Sequence, residues 1–167
     1  MNDNCFERLS PFIKEYIYRN NWTGLREIQS EAIKVIFDTD YHLLLSSGTA
    51  SGKTEAAFLP VLTMLEQDPP ASVGVLYIAP LKSLINDQFL RLNDLLKEAH
   101  IPVFHYHGDV SASHKKKLFN NPQGVLQITP ESLESLLINK NRDLVRVFGD
   151  LRFIIIDEVH SFMGTDR

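Results

Sequence analysis

HLLLSSGTASGKT, residues 42–54, decides the fold. Three leucines form a short apolar run, a string of small residues follows, and Gly52-Lys53-Thr54 closes the stretch. This is the order of a strand, a tight loop and a helix start. The small side chains of Ser47, Gly48, Thr49, Ala50, Ser51 and Gly52 let the backbone curl until successive N–H groups converge on one point. Phosphate oxygens suit such a point, and a helix beginning near Lys53 adds its positive N-terminal end. Lys53 is placed to neutralise the outer phosphates of a nucleotide, and the Thr54 hydroxyl to hold a magnesium ion. The usual pattern opens on glycine where this chain has Ser47, but a small residue still fits. The plainer reading is a glycine-containing strand-to-helix turn; Gly-Lys-Thr directly after an apolar strand favours the phosphate loop.

Composition narrows the class. The 167 residues suffice for one domain with its own core, and 44% apolar with 23% charged residues is the balance of a globular protein. Cys5 is the only cysteine, which excludes a disulfide framework and a cysteine-based zinc knuckle and fits a reducing compartment. No stretch is apolar enough to span a membrane or to serve as a signal peptide, so the expected location is the cytoplasm, with no membrane partner. A net charge of −4 argues against a free-standing basic nucleic-acid module. Any grip on nucleic acid must be local or shared with another part.

Short β-type runs alternate with helix-type segments. Strands are expected at 42–46, 73–79, 102–107, 125–129 and 152–157, and helices at 11–20, 25–38, 53–67, 83–99, 111–119 and 131–139. Runs such as VLYIA and FIII are apolar on both faces, as strands buried between two helix layers are. The fold class is therefore α/β: a doubly wound, mainly parallel sheet flanked by helices, with right-handed crossovers. Residues 1–40 form N-terminal helices and 41–167 the core, in a single domain. QDPPAS, residues 67–72, is turn-rich but too short to separate two domains.

The last expected strand opens into Asp157, Glu158, Val159 and His160. A carboxylate at the C-terminal end of a buried parallel strand stands where ligands bind in open α/β sheets. Asp157 can reach magnesium directly or through water, and Glu158 is placed to orient or deprotonate an attacking water. A solvated strand end is the bland alternative, and the phosphate loop upstream weighs against it. At 79–83 and 129–132 a strand also hands over to a helix. Pro80, Lys82, Thr129, Pro130 and Ser132 could hold backbone phosphates there, or Thr129 and Pro130 could simply cap and start a helix. His105 and His107, two apart on a strand, could share a metal, although a plain strand end is the simpler account; the basic run at 114–117 reads as a solvated helix face.

Together the phosphate loop, DEVH at 157–160, APLKSLINDQ at 79–88 and TPES at 129–132 resemble the N-terminal RecA-like lobe of superfamily 2 DExH/DEAD-type helicases. The resemblance runs from Leu25 to Arg167, and the segments beginning HGDVSASHKKK and DEVHSFMG look most like the large helicase-related (Lhr) type. It implies a P-loop NTPase lobe that binds ATP and magnesium and moves on nucleic acid, DNA in preference to RNA. Lys53, Asp157 and Glu158 would be catalytic. Gln29, in LREIQ, would read the adenine edge, with Phe12 or Trp22 beside the base; a polar residue on an exposed helix face is the alternative. Gly108 would lie near the nucleic acid, and His160 would couple the nucleotide to a neighbouring lobe. By the same resemblance the sequence is C-terminally truncated. It stops before a Ser-Ala-Thr type motif and lacks the second lobe with its arginine fingers, so the chain alone should hydrolyse ATP poorly and its sheet may lack an edge strand. Two other readings are a non-catalytic module dependent on a partner and a small kinase; the arginine-rich lid that a kinase needs is not evident.

Overall fold

The computed structural model describes residues 3–48, 51–97 and 99–162. They fall into two compact units, 1–68 and 69–167, with the boundary inside the turn-rich QDPPAS loop.

The first unit is helical: α1 (Asp3–Glu7), α2 (Pro11–Arg19), α3 (Glu27–Asp38) and α4 (Lys53–Gln67). Pro11 opens α2, where its missing N–H costs nothing, and Ile13 and Ile17, one turn apart, are buried. The Arg8 guanidinium grips the Asp38 carboxylate at the end of α3 and lies over the Phe37 ring. Ser10 is tied to α4 twice: its N–H donates to Thr63 Oγ1 at 3.2 Å and its hydroxyl to Glu66 at 2.9 Å. Helix α4 is the buried member, hiding Ala56, Leu59, Leu62 and Leu65. One expectation is corrected here. Residues 42–46 form no strand; they run as irregular chain, with Leu44 77% exposed. A β-run exists only where a neighbouring strand takes its hydrogen bonds, and among the described residues none pairs with this one.

The second unit carries a four-stranded, wholly parallel sheet: β1 (Val73–Ile78), β2 (Val103–Tyr106), β3 (Gly124–Ile128) and β4 (Phe153–Ile156), in the order β2-β3-β1-β4. Its helices are α5 (Lys82–Leu96), α6 (Ala112–Asn120), α7 (Pro130–Asn139) and the short α8 (Leu144–Phe148). One face of the sheet presents Leu76, Leu126 and Ile128 to Leu118 of α6, Leu136 of α7 and Val147 of α8. On the other face Phe89 of α5 stacks on His105, their ring centres 4.2 Å apart. Helices thus cover both faces, as the α/β reading expected. The observed strands lie within a residue or two of the expected ones. The short α1 and α8 were not expected, because each is barely longer than one turn and shows no periodic pattern.

Strand β4 is terminal, and its apolar residues are not hidden: Ile154 is 58% and Ile156 50% exposed. An open apolar hollow lined by Ile78, Pro130, Leu133, Leu137 and Ile156 adjoins it. The opposite side of β1 is tighter. Gly124 begins β3 at a φ of +71°, and a β-carbon there would lie 2.1 Å from the Pro102 carbonyl oxygen, which accepts the Val125 N–H at 3.0 Å. Gly124→Ala should therefore lower the unfolding free energy by at least the about 1–3 kcal/mol of a left-handed non-glycine backbone. A urea titration measures this as a lower midpoint with an unchanged slope.

Candidate functional site

The phosphate loop belongs to the first unit. Gly52 caps α4 in the left-handed region, at a φ of +88°, which sends the chain directly from the loop into the helix. A β-carbon on Gly52 would lie 2.8 Å from Gln29 Nε2, so glycine is required both for its backbone and for the close approach of that amide. Gln29 is 2% exposed, not on an open helix face. Its Oε1 accepts the Arg26 N–H at 2.9 Å, capping α3, while Nε2 faces the loop. Lys53 folds back over the loop, its ammonium donating to the Ser47 carbonyl at 2.7 Å and the Gly48 carbonyl at 2.9 Å. The Ser47 and Ser51 hydroxyls bond each other across the loop. Thr54 sits in the first turn of α4, half-buried. Thr49 and Ala50 lie outside the described residues.

In the second unit, candidate residues lie along the C-terminal edge of the parallel sheet. Asp157 leaves β4 with its N–H bonded to the Ile78 carbonyl at 2.9 Å. Its two carboxylate oxygens are both engaged: Oδ2 accepts the Tyr77 hydroxyl at 2.6 Å and Oδ1 the Glu158 N–H at 2.9 Å. Glu158 is exposed and adopts a φ of +49°, which few non-glycine residues do. His160 Nδ1 lies 3.3 Å from Glu158 Oε2. A half-buried carboxylate held by neutral donors is a hard oxygen ligand of the kind that suits magnesium. Among the described residues no group of three His, Cys, Asp or Glu could hold a metal.

Next along this edge come the ends of β1, β3 and β2. Ala79 N–H bonds the Ile128 carbonyl at 3.2 Å, which sets the turn at 80–82 beside the turn at 129–132. Thr129 is buried and serves as the cap of α7: its oxygen accepts the Ser132 N–H, and its hydroxyl donates to Ser132 Oγ at 2.9 Å. Pro130 is the first helical residue. The capping reading accounts for Thr129, and Ser132, half-buried, stands nearer the surface. Lys82 is exposed and bonded to both oxygens of Asp109, at 3.0 and 2.9 Å. Gly108 lies beside that pair, and a β-carbon there would stand in ordinary contact with the Lys82 ammonium, at 3.5 Å. Pro80, Lys82, Gly108, Thr129, Pro130 and Ser132 are thus gathered along one edge. Asp109 pairs with Lys82 there. One residue that sequence reasoning did not assign belongs here as well: Tyr77 holds Asp157, and its signal was a lone hydroxyl inside an otherwise apolar strand.

A family profile of the DEAD/DEAH box helicases matches residues 26–167, and the chain belongs to that family. Over 119 residues, 70% of this chain, it is 37% identical to an uncharacterized ATP-dependent helicase, YprA, of Bacillus subtilis, and it covers 15% of that protein. It is 32% identical over 176 residues to the ATP-dependent helicase Lhr-Core of Methanothermobacter thermautotrophicus, covering 95% of this chain and 20% of that one. The expected likeness to the Lhr type holds. Among solved structures, helicase MrfA bound to DNA and AMPPNP superposes with a TM-score of 0.84 at 29% identity, over 95% of this chain and 22% of that one. The chain therefore spans about a fifth or less of the length of these relatives. Among the described residues no helix is long and apolar enough to cross a membrane.

His105 of β2, His107 just after it and His114 of α6 form an edge-to-face group. His105 lies 5.5 Å from His107 and 6.3 Å from His114, ring centre to centre, and the Nδ1 atoms of His105 and His107 are buried without a partner. Burial, followed by the neighbouring imidazoles, holds His105 below its ordinary 6.5. Burial likewise lowers His107, against the pull of Asp109. The unfolded chain therefore binds more protons at these rings than the folded one. Their contribution to stability is complete above about pH 6.5 and is lost as pH falls below it. The paired carboxylates of Asp38, Asp109 and Asp150 lose theirs only at lower pH, near and below 3.8. The melting temperature should fall between pH 7 and pH 5, and His105→Phe, packed against Phe89, should flatten that fall in a calorimetric series.

Proposed function

We propose that this chain is the first, ATP-binding motor lobe of an ATP-dependent nucleic-acid helicase or translocase, completed by a second RecA-like lobe in the same or another chain. The observation that carries the reading is the shared edge: Asp157 and the turns bearing Lys82, Gly108 and Ser132 all follow the C-terminal ends of one parallel sheet. A nucleotide-sensing carboxylate and a backbone-phosphate grip on one rigid element are what a translocating motor needs.

In this reading Gln29 reads the adenine, and the loop at 47–52 with Lys53 takes the phosphates. Thr54 and Asp157 would each serve as a magnesium ligand, and the ion, when bound, would offset phosphate charge in the transition state. Glu158 accepts the proton of the water that attacks the γ phosphorus, with ADP as leaving group, and His160, beside Glu158, passes the state of that carboxylate to the second lobe. Lys82, Gly108, Pro130 and Ser132 hold a strand by its phosphates and read no sequence. The Thr129 hydroxyl supports that grip by fixing Ser132. DNA is preferred to RNA, a choice supported by the DNA held by MrfA. A second lobe that supplies arginines is supported by the far greater length of the relatives, and such arginines are worth about 10³–10⁵ in rate. The chain alone is then a nucleotide binder with little turnover.

Lys53→Ala should abolish measurable ATP binding in a calorimetric titration; an unchanged affinity refutes the phosphate-loop assignment. Lys82→Ala should weaken binding of single-stranded DNA and of RNA of the same sequence alike, by fluorescence anisotropy. It should also reduce the slope of log affinity against log salt by about one.

A further inference from the structure

Tyr77 lies at the centre of the sheet and is 0% exposed, yet its hydroxyl ends on a carboxylate oxygen at the sheet's working edge. The parallel register sets Tyr77 opposite Ile155. Asp157, two residues further along, therefore points to the same face as Tyr77 and stands within the diagonal reach of an aromatic side chain. Packing does not explain the hydroxyl, since a phenylalanine ring would fill the same space. Near neutral pH a phenol is protonated and a carboxylate is not, so the tyrosine is the donor of this bond. The Glu158 N–H donates to the other oxygen, so each oxygen of Asp157 carries one protein donor and keeps a lone pair. Donors on both oxygens fix the plane of a carboxylate that would otherwise turn freely about its last bond.

We propose that Tyr77 is the positioning residue of the magnesium carboxylate: its buried hydroxyl sets the orientation of Asp157 before any ion arrives. This rests on the reading of Asp157 as a magnesium ligand. The hydroxyl does not touch the ion; it keeps one oxygen neutral-donor bound and presents the remaining lone pairs to an ion that tolerates little departure from its preferred geometry. Removing it leaves the fold and the phosphate loop as they are and makes magnesium less effective.

The test compares the affinity of the chain for a fluorescent ATP analogue in EDTA and in magnesium, for wild type, Tyr77→Phe, Asp157→Ala and the double variant. Tyr77→Phe should leave the affinity in EDTA unchanged and reduce the gain from magnesium by about tenfold, the scale on which residues behind a metal ligand act. Asp157→Ala should lose the gain, and the double variant should lose no more than Asp157→Ala. If Asp157→Ala keeps the gain, the metal reading of Asp157 falls, and with it the proposal. If Asp157→Ala loses it while Tyr77→Phe keeps it, the metal reading stands and the positioning role is overturned. A Tyr77→Phe defect equal in EDTA and in magnesium, or further loss in the double variant, assigns Tyr77 to packing and also overturns it. Should Tyr77→Phe melt early, the four chains are compared at a temperature where circular dichroism shows all of them folded.

Discussion

Everything at the working edge depends on the parallel register of β1 with its two neighbours. Because β3 and β4 run in the same direction as β1, their C-terminal ends fall level, and two backbone bonds hold them so: Asp157 N–H to Ile78 and Ala79 N–H to Ile128. A slip of one residue would turn Asp157 away from Tyr77 and expose the face that now meets α6, α7 and α8. The level ends also place the starts of α5 and α7 side by side. Their first N–H groups, which no helix can satisfy internally, then face the same direction. The placement of Asp157 and of the turns at 80–82 and 129–132 is thus a consequence of a hydrogen-bond ladder formed from apolar residues.

A second constraint is electrostatic. A chain of net charge −4 does not attract phosphate by its overall field, so its cations act where they are held. Each important one already has a local acceptor: Lys53 the carbonyls of its own loop, Lys82 the carboxylate of Asp109. On the proposed function, an incoming phosphate would exchange places with these acceptors and not meet a bare ammonium. Exposed pairs of this type are weak, on the order of 0–1 kcal/mol, so the exchange is easy.

The sequence was most legible where a residue's conformation is dictated by its own chemistry. Helix α4 begins and ends as read, at 53 and 67, because Gly52 must take a left-handed turn and the polar residues after Leu65 end the buried face. Thr129-Pro130 announced α7 for similar reasons. Legibility failed where the outcome depends on a partner. The apolar run at 42–46 has every propensity for a strand and is not one, since a strand is a property of a pair. For Gln29, the alternative of an exposed polar residue fails, since the structure buries it as a helix cap against Gly52. The role of Tyr77 needs the register of two strands 80 residues apart, which no local pattern contains. The carboxylates were found because motif spacing alone marks them; their donors were not.

The backbone at Glu158 has a consequence of its own. Asp157 is clamped at both oxygens, while the next residue is held in a left-handed conformation that a glutamate adopts only under duress. The two adjacent carboxylates therefore differ mechanically: one is an anchored post and the other sits on a cocked spring. Relaxation of the Glu158 backbone toward the right-handed basin would swing its side chain, and His160 with it, while Asp157 stayed in place. Adjacency in sequence here joins a fixed part to a movable one.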